Sequence, residues 1–289
     1  MLFTIFMASI TAGTSLLFAT LGEIITERSG IINLGLEGIM LMGAMTGFVA
    51  SHYSGYPVVG LFVAAFTGMI LSCIHSLVVI TFKSNQIVSG LALTILGTGM
   101  SSFFGKRMIG KTAPGFSPLF LDFDVMVFIA FAASIALWFF LKYTRWGLNL
   151  NSVGQNPGAA DATGINVYKI RYTAVIFGGA MTGIGGAYLS LVYTQMWVEN
   201  MVSGRGWIAI ALVIFSTWNP LKALLGAYLF GAVMATILRI QAVGIDLPIY
   251  ILSMAPYVVT IITLIVITAF GNIRKHIGAP EALGKVFSR

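Results

Sequence analysis

Apolar residues in this chain come in long blocks separated by short polar breaks. The blocks run over Phe3–Leu21, Ile31–Ala50, Val58–Thr81, Ile87–Phe104, Val125–Leu141, Tyr172–Tyr193, Trp207–Trp218, Leu221–Leu238 and Ile249–Phe270. A helix needs about 20 mostly apolar residues to cross about 30 Å of hydrocarbon, so the pattern predicts an all-α, polytopic membrane bundle of about 8–9 transmembrane helices. The seventh block is short and is expected to be broken or tilted. Trp207 and Trp218 stand at its two ends, where amphipathic rings prefer the headgroup level. One transmembrane domain over residues 1–289 is expected, with a polar loop over 142–171 and a tail over 271–289.

Composition agrees with this reading. Of 289 residues 58% are hydrophobic and 9% are charged, against about 25% charged in a soluble domain. The mean hydropathy of +0.95 excludes a water-solvated surface. Cys73 is the only cysteine, which rules out a disulfide scaffold.

The net charge of +7 would suit nucleic acid if it were spread over a soluble surface, but it is clustered. Lys142, Arg145, Lys169 and Arg171 fall in one loop, and the tail holds Arg274, Lys275, Lys285 and Arg289. Together these segments carry half the basic residues and only two acids, Asp161 and Glu281. Clustering beside spans is the signature of basic loops kept in the cytoplasm, so no nucleic-acid partner is expected. No cationic stretch precedes the first apolar block, whose first charge is Glu23, and a cleaved signal peptide is not expected.

Placing 142–171 in the cytoplasm returns the tail to the same side after four spans. Counting backwards, 23–30 and 82–86 lie inside and 51–57 outside. The loop 105–124 fits poorly, landing outside with Lys106, Arg107 and Lys111 against Asp122 and Asp124. The N-terminus is external if Ile31–Ala50 crosses fully, and internal if that segment dips in and returns. Small residues at four-residue spacing (Ala223, Ala227, Gly231, Ala235; Gly178, Thr182, Gly186, Ser190; Gly179, Gly183, Ala187) predict close helix contacts.

Catalytic chemistry is poorly represented. Residues 105–112, GKRMIGKT, match a Walker A string, but that loop binds phosphate only between a strand and a helix, so it is a decoy. His52, His75 and His276 have no metal-ligand spacing, and no nucleophile stands beside a base. Neither a catalytic residue nor a metal site is expected. His75 reads as a hydrogen-bonding group between helices.

Two segments are informative. Residues 27–38, ERSGIINLGLEG, place Asn33 and Glu37 four apart, on one side of a helix if the segment is helical. A carboxylate inside a membrane costs about 2.5–3.5 kcal/mol on insertion scales and needs a cavity or a polar partner. Gly30, Gly35 and Gly38 favour irregular or closely approached backbone, tolerated at depth only where it is shielded. Either a translocation path or gate, or a buried clasp between helices, would account for the pattern. Glu23 and Glu27 read as interfacial. In the second segment, residues 154–164, Asn156 suits an N-cap, Pro157 the first helical position and Gly164 a left-handed end. The result is a helix of about two turns exposing Ala159, Ala160 and Ala162.

The strings ERSGIINLGLEG with IMLMGA, VGQNPGAADATGI and SGRGWIAIALVIFSTWNP, spread from about Glu27 to about Gly231, resemble the permease subunits of ABC importers in the branched-chain amino acid and simple-sugar group, with the nucleoside-uptake branch nearest. The resemblance implies a bacterial cytoplasmic (inner) membrane protein with its C-terminus cytoplasmic, importing by alternating access. It implies a second permease subunit in a heterodimer, cytosolic ATPase subunits and an extracytoplasmic substrate-binding protein. The chain itself would then be no enzyme and hold no cofactor, ATP and Mg being bound by the ATPase. It maps the ATPase-coupling segment onto Gly154, Asn156, Pro157, Ala159, Ala160, Asp161 and Gly164, and the gate region onto Gly30, Asn33, Gly35, Glu37 and Gly38. Simple sugars or a flavin-type vitamin are the alternative cargoes. An ion-gradient-driven secondary transporter, with Glu37 as its titrating group, is the alternative of another class, and a membrane-embedded enzyme a third.

Overall fold

A computed structural model describes residues 2–120, 123–242, 254–262, 265 and 279–288. Ten helices are defined: α1 Leu2–Arg28, α2 Leu36–Ser54, α3 Pro57–Ser76, α4 Gln86–Gly105, α5 Val125–Tyr143, α6 Arg145–Gln155, α7 Pro157–Ala162, α8 Val167–Tyr188, α9 Arg205–Phe215 and α10 Pro220–Ala242. Residues 254–262 and 265 are also helical and fall inside the ninth expected block; the rest of that block lies outside the described residues. A small antiparallel hairpin, β1 Pro118–Phe120 with β2 Phe123–Asp124, sits in the loop before α5.

Polar side chains fix several helix starts. Asn85 accepts from the N–H groups of Ile87 and Val88, Asp124 from Met126 and Val127, and Asn166 from Lys169. Each satisfies donors that the first helical turn leaves free. Six helices among the described residues are long and apolar enough to cross a membrane: Phe6–Arg28, Pro57–Thr81, Gln86–Met108, Val125–Tyr143, Val167–Tyr193 and Pro220–Ile237. They correspond to six of the nine expected blocks. The polytopic helical bundle is therefore as expected, while the described residues give six clear spans rather than eight or nine.

The other blocks behave differently. α2 begins at Leu36, after an irregular stretch through residues 31–35, so Asn33 and Glu37 do not share a helix face. Ile32 donates its N–H to Gln86 at the start of α4, and Ser51 donates its hydroxyl to the Pro114 carbonyl beyond the end of α4. The segment therefore traverses the bundle from end to end and does not turn back. α9 has 11 residues, about 16 Å at 1.5 Å per residue, too short to cross. Trp207 at its start is partly exposed, but Trp218 is 4% exposed and folded into the core, contrary to the headgroup placement expected for it.

α8 sits centrally against α1, α2 and α3, and α1 packs on α10. The small-residue stripes lie at these contacts. Gly186 rests on the Met40 carbonyl, Gly179 on Gly68 and Ser72, Gly183 on Ala64, Gly178 on Gly22, and Gly231 on Ser9 and Gly13. They are backbone approach points, as their spacing predicts. The string 105–112 closes α4 and coils through a 3₁₀ turn at Lys106–Met108 with no strand before it, and Gly105 lies under the Trp197 ring. The phosphate-loop geometry is missing.

Candidate functional site

Glu37 stands in the first turn of α2, and its carboxylate reaches the start of α9. One oxygen accepts from the Gly204 N–H at 2.6 Å and the other from the Gly206 N–H at 2.7 Å. Gly204 has φ +84°, a left-handed conformation that glycine adopts without steric cost. The free N–H groups and positive dipole end of a helix N-terminus favour an anion there. Arg205, between the two glycines, lies over the Tyr193 ring at 5.2 Å and donates to the Met201 carbonyl. The carboxylate thus pins the short, non-crossing α9 to α2.

Asn33 does different work. Its side-chain oxygen accepts from the Gly35 N–H at 2.9 Å, closing a turn, and its own N–H donates to a Glu23 carboxylate oxygen at 3.1 Å. Gly35 and Gly38 abut Leu93 and Thr94 of α4, where a Cβ would not fit. Gly30 takes φ +90°. The irregular backbone around Ile31 and Asn33 is buried, which is the shielding such a stretch requires.

The second segment forms the helix read from its caps. Asn156 accepts from the Ala159 N–H, Pro157 opens α7, and Gly164 has φ +87°. The orientation differs from expectation at one position: Ala160 is 4% exposed and packs in the core cluster with Leu150, Val153 and Ile170. The outward face consists of Gly158, Ala159 and Ala162, with Asp161 and Pro157 half-buried. Gly154 is buried against the Arg28 carbonyl, so it is a backbone approach point and has no outward side.

The two segments meet through Arg28 and Asn151, which sequence reasoning did not single out, and through Glu27 and Trp218, which it placed at the interface. Arg28 donates from Nε to the Trp218 carbonyl at 2.9 Å and from Nη1 to Asn151 of α6 at 2.7 Å. Trp218 in turn donates its indole N–H to Glu27 at 2.6 Å. Arg171 donates to the Ser29 and Lys285 carbonyls. The described part of the tail closes the group: the Ala282 N–H donates to the Gly154 carbonyl and the Gly284 N–H to that of Gly30. Glu23 and Glu27 are 1% and 4% exposed, so they are core residues rather than the interfacial ones expected. Ending the first span at Leu21 concealed them; α1 continues to Arg28, one turn and more beyond. Their spacing of four on an otherwise apolar helix was the available signal.

His75 bridges Ser89 and the Ile32 carbonyl between α3, α4 and the 30–38 turn, the helix-to-helix role expected of it.

Comparison with known proteins gives a consistent picture. A family described as the permease component of branched-chain amino acid transport systems matches residues 5–270. TsgC13 of Haloferax volcanii, named for a glucose ABC transporter permease, is 42% identical over 83% of this chain and 78% of its own length. The guanosine ABC transporter permease NupQ of Bacillus subtilis is 32% identical over 96% of each chain. The nucleoside ABC transporter permease NupC of Lactococcus lactis is 34% identical over 87% of this chain and 88% of its own. Among solved structures, a metal-chelate type ABC transporter in an inward-facing conformation matches with a TM-score of 0.50 at 15% identity, covering 94% of this chain and 85% of that one; at that identity the likeness concerns the fold.

Proposed function

Given that the chain belongs to the branched-chain amino acid transport system permease family, we propose that it is one half of the membrane pathway of an ABC importer carrying nucleosides inward. The permease is not the motor: hydrolysis of Mg-ATP takes place in a separate cytosolic ATPase, which seats on the outward face of α7. A second, different permease subunit completes the pathway, and an extracytoplasmic binding protein delivers cargo. The protein lies in the cytoplasmic membrane with α7 and the C-terminus on the cytoplasmic side, and the N-terminus outside.

The observation that carries the cargo assignment is the likeness to NupQ and NupC along nearly the whole chain. The higher identity to TsgC13 over a shorter stretch favours a second reading, a simple sugar. Both readings fit a weakly selective path whose specificity resides in the binding protein. Uptake of radiolabelled adenosine, guanosine, glucose and riboflavin by proteoliposomes holding the assembled complex separates them. Adenosine or guanosine accumulation that requires ATP supports the proposal, and glucose accumulation alone replaces the cargo. Accumulation driven by a proton or sodium gradient without ATP would remove the ABC reading.

The mechanical reading follows the hydrogen bonds described above. Closure of the ATPase pair pushes α7, and α6 passes the displacement through Asn151 and Gly154 to Arg28. The 28–35 turn joins that point to α2, and Glu37 joins α2 to α9. Residues 30–38 are thereby coupled to the motor as a gate, with Glu37 as the clasp that moves it.

A further inference from the structure

Two large grooves open on the flanks of the bundle. One, of about 730 Å³, lies between α5 and α8 and has no charged residue in its lining. The other, of about 910 Å³, is walled by α2, α3 and α4. Met42, Met45, Val49 and Phe103 form its apolar interior, and Lys106 and Arg107 line it where α4 ends. Both cations are exposed.

Their position makes them unusual. α4 starts beside Ile32, at the end of the bundle where Arg28, Gly154 and the tail meet, and it ends at Gly105 on the opposite side. Lys106, Arg107 and Lys111 therefore stand away from the basic loop and tail, on the side where membrane proteins usually carry fewer cations. A groove that is apolar along the membrane depth and cationic at one end matches an amphipathic anion. Phe103, 76% exposed on the groove wall, offers apolar surface for an acyl chain to cover. A soluble acidic loop would not fill the apolar depth, and a neutral lipid or a partner helix would leave the cations uncompensated.

We propose that the groove between α3 and α4 binds one anionic phospholipid, with an acyl chain over Met42 and Met45 and its phosphodiester against Lys106 and Arg107. The groove between α5 and α8 lacks the charged end and takes lipids without regard to headgroup.

Native mass spectrometry of the full chain, exchanged into micelles with equimolar phosphatidylglycerol and phosphatidylethanolamine, tests this without any partner subunit. Phosphatidylglycerol adducts should be retained roughly thirtyfold over phosphatidylethanolamine, the scale of two cations acting on an anionic headgroup. The surface double variant Lys106→Gln/Arg107→Gln should abolish the preference, and Val49→Trp, at a half-buried position on the groove wall, should lower retention by filling the groove. Phe177→Trp in the uncharged groove should leave the preference intact. Equal retention of the two lipids by the unmodified protein would overturn the proposal. So would an unchanged preference in the double variant; uptake lost alongside that result would assign the two cations to docking an acidic protein instead.

Discussion

Both oxygens of Glu37 accept from backbone N–H groups, and this determines what its replacement does. Gln keeps one acceptor and turns an NH₂ group toward a donor, so one buried amide loses its partner. Glu37→Gln is expected to cost about 1–3 kcal/mol, read as a lowered thermal midpoint in detergent with uptake falling in parallel. A normal midpoint with lost uptake would instead place the carboxylate in the transport path. Glycines give a sharper pair. A Cβ on Gly186 would enter the Met40 carbonyl, whereas one on Gly99 meets nothing within 4 Å. Gly186→Ala should abolish the monodisperse peak in fluorescence-detected size exclusion, and Gly99→Ala should leave it unchanged. Glu37 was legible in the sequence because an acid in an apolar block demands a reason. Its partners were not, since Gly204 and Gly206 act through main-chain groups that every residue but proline possesses.

At the level of elements, α7 was read almost completely, because caps are local. Asn156, Pro157 and Gly164 each act within four residues of themselves, and no tertiary contact is needed to place them. Which side faces out was not legible, because the burial of Ala160 depends on α6 and α8 arriving beside it. The two alanines therefore make a discriminating test. Ala159→Trp on the outward face should leave the permease folded while uptake in the reconstituted complex falls and ATP hydrolysis continues. Ala160→Trp should lower the yield of folded protein, since overpacking a filled site typically costs about 1–3 kcal/mol. α9 shows the opposite difficulty. Its composition is that of a span, and only its length, set by Gly204 and the left-handed turn at Thr217 and Trp218, keeps it from crossing.

For the whole molecule, the spans along the outside of the bundle were legible from hydropathy because lipid selects for it. The connections that tie the α6–α7 hairpin to α1 were not, since Arg28, Asn151, Trp218 and Ala282 are far apart in sequence. Their importance can be measured. Arg28→Gln should uncouple, leaving ATP hydrolysis by the assembled complex but lowering uptake. Removing residues 279–289 should raise amide exchange in 28–35 and 145–164, because the Gly284 hydrogen bond to Gly30 and the Ala282 hydrogen bond to Gly154 disappear. α2 has a further consequence. Thirteen of its nineteen residues are buried, and while α3 and α4 follow it directly, one of its walls, α8, is made more than a hundred residues later. Until the ribosome has produced that wall, the helix carrying Glu37 has lipid or translocon where α8 belongs. Its settling is therefore a late event in biogenesis, and in nascent chains carrying Ala44→Cys and Cys73→Ser, stalled before residue 167, the new thiol should stay accessible to thiol-reactive labels.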